Sequence, residues 1–459
     1  MAQVREQATR DGLPMPRRVL AIVAISFGTA LFVLDGAIAN VALPTIAREL
    51  GVTNGVATNV VTVYQLVLVM GLLPFSNMGD RIGHRRLYQI GQAIFLLATT
   101  AIFFVASFPV LLLARAGQAI GAGMALSVAA AMLREIYPAK SLGSGMGINS
   151  VIVATSYAIA PTLGGFIVEH FDWRWVFVVA APLAVLSLVI GRSLPEPVAH
   201  ERSPERLSGL WSALTVLLLI GGLQLATHGE TTLAGIVAVA LGALSAVYLV
   251  KRERARSNPV VPVDLLANPV LGLSALAAVA AFLASSSLMV ALPFRFEQVY
   301  GYAPAEVGLL LLPFPLTMLF VAPAAGWLSD RVAATKLGVT GMAIAIVALL
   351  LLAFLPEAPG PTAIGWRLSL AALGFGLFFA PNSRLIIGRA PKERSAAAGG
   401  MLSTSRLMGQ TLGAALIGLL LVMGAGLGEV PMLAACGFAV LAAVCSLTRF
   451  ARARRSATN

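Results

Sequence analysis

One carboxylate stands deep inside a long apolar stretch of this sequence. Asp35 lies within the apolar run 19–43, nine residues before Pro44. An ionised Asp at the centre of a hydrocarbon layer costs about 2.5–3.5 kcal/mol, so such a group meets a cation or a water-filled cavity, or takes up a proton. We therefore interpret Asp35 as a group that binds and releases a proton. The alternative is a permanently paired structural carboxylate.

Arg115 is the cation whose depth best matches that of Asp35. It follows Pro109, near the start of the apolar run 109–132, by six residues. If the two helices cross the membrane in opposite directions, a rise of 1.5 Å per residue puts Asp35 and Arg115 about 13 and 9 Å below the same surface. The spacing predicts a salt bridge between the two residues. In it, the permanently charged guanidinium would tune the affinity of Asp35 for a proton or hold an anion. The alternative is a structural Arg that donates to backbone carbonyls.

Other polar side chains occur in the middle of apolar runs, where they could line a central cavity. Arg406 lies about eleven residues into the run 396–424, and Gln410 follows on the same helical face. We interpret Arg406 as lining the cavity, with a bond between helices as the alternative. The remaining candidates, each of which could instead bind a neighbouring helix, are Asn40, Tyr64, Gln65, Gln118, Asn149 and Tyr157.

Several other chemistries find no support in the sequence. The four histidines are scattered, and the nine residues between Cys436 and Cys445 span about 13 Å on one helix, too far for a disulfide. None of the lysines ends a G-x-x-x-x-G-K-[ST] loop of the kind that cradles nucleotide phosphates. We expect no metal, no cofactor and no enzymatic activity.

The elements that carry these residues are predicted to be membrane helices. The chain of 459 residues is 58% hydrophobic and only 11% charged, whereas soluble domains carry about 25% charged residues. A helix needs roughly 20 apolar residues to cross a bilayer, and this window predicts an all-α fold with fourteen spans. They are 19–43, 56–77, 87–107, 109–132, 142–166, 174–192, 209–227, 232–250, 269–293, 304–326, 337–355, 363–382, 396–424 and 430–448.

The basic residues predict the orientation of these spans. With a cytoplasmic N-terminus, 26 of the 32 Lys and Arg residues fall on cytoplasmic segments and 4 on outer segments, and Arg115 and Arg406 lie within the membrane. This distribution obeys the positive-inside rule, so the net charge of +12 reflects topology rather than nucleic-acid binding. We expect a multi-pass protein of the plasma membrane with both termini cytoplasmic. The first apolar run is too long for a signal peptide, so we interpret it as a retained helix.

A weak internal repeat divides the chain into two halves. Asp80 and Asp330 stand 250 positions apart and each precedes an arginine, a pattern typical of transporters built from two six-helix units. The predicted segments are a tail 1–18, a bundle 19–192, a linker 193–208, two added helices in 209–250, a linker 251–268, a bundle 269–448 and a basic tail 449–459.

The repeated cytoplasmic motifs predict a conformational gate. Ion pairs and helix-end contacts there could hold the inner side closed and break on reopening. Positive-inside anchoring is the alternative for the arginines, but it does not explain the matched aspartates. The predicted gate comprises Asp80, Arg81, Gly83, Arg85, Asp330 and Arg331.

Motifs in order along the chain resemble one transporter family. They are LDGAIANVALP at 34–44, GDRIGHRR at 79–86, the set Arg115, Gln118 and Gly121, APTLGG at 160–165, and WRWVF at 173–177. On these motifs the sequence is similar to the major facilitator superfamily, specifically its fourteen-helix drug:proton antiporter branch, from the first helix to the last.

The resemblance implies a proton-coupled exporter of drugs or other lipophilic molecules that works by alternating access. It also implies that Pro161, Gly164 and Gly165 form an antiporter motif that seals against leak. One alternative is a dedicated exporter of a neutral or anionic metabolite, such as an antibiotic or siderophore, because the membrane interior holds one acid and two arginines. Another is a receptor or scaffold that does not transport.

We expect a monomer whose partners are a small-molecule substrate, protons and lipids. Arg295 and Glu297, near the outer end of the ninth span, are interpreted as an exposed interfacial pair, with a gate as the alternative.

Overall fold

The computed structural model describes residues 12–138, 142–195, 206–222, 225, 232–254, 263–329, 331–390 and 395–458. Nearly all of them are helical. In chain order the α-helices are α1 (Arg17–Glu49), α2 (Asn54–Ala57), α3 (Asn59–Ile82), α4 (His84–Ile102), α5 (Phe108–Ile136), α6 (Leu142–His170), α7 (Trp175–Val178), α8 (Ala181–Ile190), α9 (Arg206–Val216), α10 (Thr232–Arg254), α11 (Val263–Ala267), α12 (Pro269–Gln298), α13 (Pro304–Leu311), α14 (Pro313–Leu328), α15 (Ala334–Ala353), α16 (Pro361–Arg389), α17 (Ser395–Val422) and α18 (Val430–Thr458).

A multi-pass membrane fold is confirmed by the length and composition of these helices. Within the described residues, eleven helical segments are long and apolar enough to cross a bilayer. The predicted spans 87–107, 142–166 and 209–227 correspond to α4, α6 and α9, which are not among those eleven. The count of fourteen crossings therefore stays a prediction.

Some predicted single spans are broken into two helices. The span predicted at 304–326 consists of α13 and α14, which meet at Leu312. Pro313 begins α14, because proline is well suited to the first helical turn but lacks the N–H that would continue a preceding helix. The span at 174–192 is divided in the same way into α7 and α8, with Pro182 in the first turn of α8.

The same close helix crossing occurs in both halves of the chain. In the N-terminal half (α1–α8), a Cβ atom added to Gly121 of α5 would lie 2.4 Å from the Gly91 carbonyl oxygen of α4. In the C-terminal half (α12–α18), a Cβ on Gly341 of α15 would lie 2.6 Å from the Gly374 carbonyl oxygen of α16. Only glycine allows such an approach, so the internal repeat extends from the sequence motifs to the packing.

The two helices between the halves pack mainly on the N-terminal half. Helix α9 lies against α3, and α10 lies against α9 and the π-helical turn that follows it. The Oγ1 atom of Thr215 and the Oγ atom of Ser245 are 2.6 Å apart, and the rings of Trp211 and Tyr248 are 5.3 Å apart. This pair is thus bound together by polar and aromatic contacts within the membrane.

The hydrogen bonds and ion pairs between described residues of the two halves lie near one face of the molecule. We call it the outer face, from the predicted orientation; α1 and α12 both end there. There a Cβ on Gly165 of α6 would lie 2.4 Å from the Pro304 carbonyl oxygen, and one on Gly55 would lie 2.8 Å from the Gly418 carbonyl oxygen. In this conformation the halves are therefore closed against each other at the outer face.

Candidate functional site

The predicted contact between Asp35 and Arg115 is present. The Oδ2 atom of Asp35 in α1 accepts a hydrogen bond of 2.8 Å from Nη1 of Arg115 in α5. Both residues are fully buried. The second carboxylate oxygen, Oδ1, has no hydrogen-bond partner among the described residues. The depth argument from the sequence thus identified a real ion pair in the membrane interior.

The guanidinium of Arg115 is satisfied within the N-terminal half. Its Nε donates to the Val60 carbonyl oxygen at 3.3 Å, and its Nη1 also donates to Oε1 of Gln118 at 2.7 Å. The aromatic rings of Tyr64 and Phe177 lie 4.2 and 4.9 Å from the guanidinium carbon. A cation so surrounded by an acid, an amide, a carbonyl and two ring faces is held rigidly in place.

Two residues predicted to line the cavity belong instead to this buried cluster. Gln118 is fully buried, and its Nε2 donates to Oγ1 of Thr99 at 2.7 Å. Tyr64 is 4% exposed and lies on Arg115. In this conformation neither side chain faces the cavity, because position along a helix sets only the depth of a side chain, whereas the packing of neighbouring helices decides which face meets the cavity.

Asp35 has no contact with solvent in this conformation. The expected water-reachable chamber does not extend to its carboxylate, whose exposed fraction is 0%. A proton can reach or leave Asp35 only if the helices around it move. Any exchange at this residue therefore belongs to a conformation other than the one described here.

Arg406 differs from Arg115 in every respect except its type. It is the twelfth residue of α17, whose bounds are Ser395–Val422, and its side chain is exposed although it lies deep among protein atoms. It makes no hydrogen bond or ion pair with any described residue, and the polar group that faces it is Tyr157 of the N-terminal half. A side chain that is both deep and exposed lines an internal space, which favours the cavity interpretation over a bond between helices.

The other predicted cavity residues are partly exposed. Asn40, Gln65, Asn149, Tyr157 and Gln410 are all half-buried. The Oδ1 atom of Asn40 and the Oε1 atom of Gln65 have no partner within the part of the chain that is described. Both oxygen atoms are themselves buried, although their residues are partly exposed.

A set of polar residues at the outer face joins the two halves. Nη1 of Arg48 donates to Oε1 of Glu297 at 3.1 Å, and the side-chain amides of Asn54 and Gln298 exchange two hydrogen bonds of 2.7 and 3.0 Å. We call these four residues the outer clasp. Apart from Glu297, which was considered with Arg295 as a possible gate, these residues were not predicted from the sequence. The available signal was the presence of polar residues near the outer ends of α1, α2 and α12. Beside it opens a cavity of about 320 Å³, also lined by Pro44.

The clasp corrects the predicted pairing of Arg295 with Glu297. Arg295 is 8% exposed, and its guanidinium donates to the carbonyl oxygens of Leu352 and Ala353 at 3.0 and 3.1 Å. These carbonyls belong to the last turn of α15, which leaves them without helical partners. Arg295 is thus a cap inside the C-terminal half, whereas Glu297 crosses to the other half.

The residues of the predicted antiporter motif lie at close helix contacts. A Cβ on Gly164 would lie 2.9 Å from Cγ1 of Ile38 in α1, and Gly165 lies against the start of α13. Pro161 is buried, and a Cβ on Gly308 of α13 would lie 2.4 Å from its carbonyl oxygen. The motif therefore contacts both the helix that carries Asp35 and the opposite half.

The predicted cytoplasmic gate is only partly described. Gly83, with φ of +92°, forms the tight turn between α3 and α4, where a side chain would be strained. Arg81 is exposed, Arg85 is half-buried, and the guanidinium of Arg331 lies 3.7 Å from the ring of Trp327 in its own half. The side chain of Asp80 and the whole of Asp330 lie outside the described residues, so the gate stays a prediction.

Metal-ligating side chains are dispersed. Within the described ranges, no three residues among His, Cys, Asp and Glu come together in a way that could hold a metal ion. Cys436 and Cys445 of α18 are free thiols. Among the described residues of the interior, the groups available for chemistry are thus the pair of Asp35 and Arg115, the guanidinium of Arg406 and several amides and phenols.

Comparison with known proteins gives a consistent family. The profile of the Major Facilitator Superfamily matches residues 25–273 and 274–459. The chain is 41% identical to the uncharacterized transporter YebQ of Escherichia coli K12, over 97% of this chain and 99% of that protein. It is 29% identical to the riboflavin transporter RibZ of Clostridioides difficile, over 87% of this chain and 88% of that protein. It is also 29% identical to the multidrug resistance protein Stp of Mycobacterium tuberculosis, over 87% of this chain and 75% of that protein.

A solved structure has a similar fold. It is that of a bacterial homologue of the human lysosomal transporter Spinster in an inward-facing conformation, with a TM-score of 0.67, 18% identity, and coverage of 95% of this chain and 98% of that one. The relatives that were characterised are named for different substrates, so family membership leaves the substrate open.

Proposed function

Because this chain belongs to the Major Facilitator Superfamily, we propose that it exports small organic molecules in exchange for protons, with Asp35 as the residue that takes up the proton. The observation that carries the proposal is the buried pair of Asp35 and Arg115. Asp35 is the acid nearest the middle of any predicted span, since the other acidic residues lie in tails and loops or near helix ends. No other carboxylate is comparably placed to carry a proton across the membrane interior.

The pair offers a way to couple a proton to a change of conformation. Uptake of a proton by Asp35 would remove its charge and weaken its bond to Arg115, which keeps its own charge. The guanidinium would then bind its remaining partners, Val60 and Gln118, more closely. A shift of Arg115 would be transmitted to α3 and α5, which carry these partners. Proton uptake and substrate binding would thus shift the same conformational equilibrium, through the positions of α3 and α5.

The closed outer face supports alternating access as the mechanism. The outer clasp and the glycine contact between α6 and α13 would break when the halves rock to open outward. Asp35 would then become accessible to protons from outside, and the substrate would leave. Return to a conformation closed at the outer face would carry the proton across. Its release to the inside would require the helices around Asp35 to move, because the carboxylate is sealed in the conformation described here.

Lipophilic drugs are the substrate class that the resemblance to the drug:proton branch favours. The name of the relative Stp fits that class. A second candidate function is dedicated export of a neutral or anionic metabolite. The exposed and unpaired guanidinium of Arg406 favours this second class, because an electropositive cavity repels cations.

Transport by reconstituted vesicles tests the proton coupling. Purified protein would be placed in liposomes with an imposed pH gradient, and uptake of ethidium, riboflavin and naphthalene-2-sulfonate would be measured. We expect a probe that is accumulated by the wild type to lose gradient-driven accumulation in Asp35→Asn, while substrate exchange without a gradient persists. A matched control is Asp172→Asn, which removes a carboxylate that pairs with Arg174 at the outer surface. Gradient-driven accumulation that survives Asp35→Asn would refute the role of Asp35.

A further inference from the structure

Arg406 occupies an unusual position for a charged side chain. It lies near the middle of the membrane-spanning part of α17, is exposed to internal space, and has no hydrogen-bond or ion-pair partner among the described residues. Close contacts hold its helix in place, because Cβ atoms on Gly409 and Gly413 would lie 2.5 and 2.7 Å from carbonyl oxygens of α12. A fixed, unpaired guanidinium at this depth is costly and marks a functional site.

None of the described acidic residues forms an ion pair with Arg406. The sequence has 20 acidic residues, and Asp35 is the one nearest the middle of a predicted span. Its bonded carboxylate oxygen lies 2.8 Å from Arg115, and it is sealed inside the N-terminal half. Among the described residues, the positive charge of Arg406 therefore has no acidic counterpart in the space that it faces.

From these observations we infer that the space between the halves binds a substrate with a carboxylate, sulfonate or phosphate group, and that Arg406 recognises this group. The inference rests on the proposed transport function and adds the substrate class to it. A guanidinium presents a planar fork of donors that matches such anions bidentately. Tyr157 of the opposite half interacts electrostatically with Arg406, so the guanidinium lies towards the space between the halves.

An anionic substrate also has a consequence for the driving force. Export of a monoanion in exchange for one proton moves net positive charge inward, so a membrane potential that is negative inside drives the exchange. Export of a monovalent cation for one proton moves no net charge and responds to the pH gradient alone. The two substrate classes thus differ in their response to voltage.

Binding of two probes of opposite charge tests the recognition. Naphthalene-2-sulfonate and (naphthalen-2-ylmethyl)trimethylammonium share a ring system and differ in charge. We expect Arg406→Gln to weaken binding of the sulfonate by about tenfold or more, the loss of one charge-assisted contact, and to leave binding of the ammonium probe unchanged or stronger. Arg406→Lys should retain part of the affinity, since it keeps the charge without the planar fork.

A matched control separates the site from general charge effects. Arg367→Gln removes an arginine from the C-terminal half that donates to the Ala363 carbonyl oxygen of its own helix, and it should not alter binding of the sulfonate. All variants would first be shown to elute as monodisperse protein. Sulfonate binding that is the same in wild type, Arg406→Gln and Arg406→Lys would overturn the inference, as would tight binding of the ammonium probe alone.

Vesicles distinguish failure of this inference from failure of the proposed function. A potassium gradient with valinomycin sets a membrane potential in the absence of a pH gradient. Transport of the sulfonate driven by this potential, and lost in Arg406→Gln, supports both proposals. Proton-driven transport of the ammonium probe without binding of the sulfonate leaves the proposed function standing and overturns the inference. Binding of the sulfonate through Arg406 without transport under any gradient supports the inference about the binding site and overturns the proposed function.

Discussion

Polar contacts inside one half of the molecule differ from those between the halves. Inside the N-terminal half, Arg115 is buried and bonded to Asp35, Val60 and Gln118. Between the halves, Arg406 is exposed without a partner among the described residues, and Arg48 reaches Glu297 only at the outer face.

This difference indicates which contacts hold the fold and which ones move. Buried groups that are fully hydrogen-bonded inside a half stabilise it as a rigid unit. Breaking these hydrogen bonds would leave charges unpaired in a medium of low polarity. Shallow contacts between the halves contribute little energy and can be exchanged within one transport cycle. Substitutions inside a half should therefore change stability, whereas substitutions between the halves should change conformation or ligand binding.

The largest expected effect is that of Arg115→Leu. It leaves Asp35 buried without its cation, and removing one partner of a buried ion pair typically costs about 3–5 kcal/mol of unfolding free energy. Chemical unfolding in detergent micelles, followed by circular dichroism, measures this loss. The double variant Asp35→Asn with Arg115→Leu should recover part of it, because the remaining group is neutral.

Arg406→Gln is the matched comparison for that experiment. It removes the same type of side chain from a site without a described partner. Because an unpaired charge at this depth is costly, the unfolding free energy should stay the same or rise. If the two single variants lost equal stability, the contrast between the saturated and the unpaired guanidinium would be wrong.

A smaller loss is expected from Gly121→Ala and Gly374→Ala, one in each half. The new Cβ atoms would lie 2.4 Å from backbone atoms of the facing helix, the Gly91 carbonyl oxygen and the Ala345 nitrogen. Because backbone cannot move aside cheaply, we expect each variant to lose about 1–3 kcal/mol, as is usual for overpacking. The same unfolding assay measures both.

Gly437→Ala is the control for these substitutions. No atom outside its own helix and immediate neighbours lies within 4 Å of a Cβ added there, so this variant should be neutral or gain up to about 1 kcal/mol from better helix propensity. Equal losses at all three positions would show that the glycine crossings are not what holds each half together.

The sequence was sufficient to predict the fold and the contact between Asp35 and Arg115. It was not sufficient to predict the directions in which other side chains point. Apolar runs predicted a helix at every span, and depth counting placed Asp35 beside Arg115. Tyr64 and Gln118, predicted to line the cavity, pack around Arg115 in this conformation, because the sequence does not show which helices pack on which face. For Arg295 and Glu297 a signal was available: residues two apart lie about 200° apart around a helix, so they could not share one environment.

The smallest expected effect is that of Glu297→Gln in the outer clasp. The side chain of Arg48 is 65% exposed, and exposed ion pairs contribute about 0.2–1 kcal/mol. The substitution should thus raise the population of the outward-open conformation by at most about fivefold, without changing the unfolding free energy. High salt should shrink the effect by screening the pair in the wild type.

Distances between spin labels at the outer face measure that population. Cysteines at Phe171 of the N-terminal half and Val299 of the C-terminal half, both exposed, would carry the labels after Cys436 and Cys445 are replaced by serine. The control is Glu306→Gln, an acid at the same face whose carboxylate accepts a bond from the Ala303 N–H within its own half. A long-distance population that rises in Glu297→Gln but not in Glu306→Gln would identify the clasp as a contact that opens. Equal distance distributions in all three proteins would assign the outer closure to the contacts that remain, which are the Asn54–Gln298 amide pair and the glycine contacts.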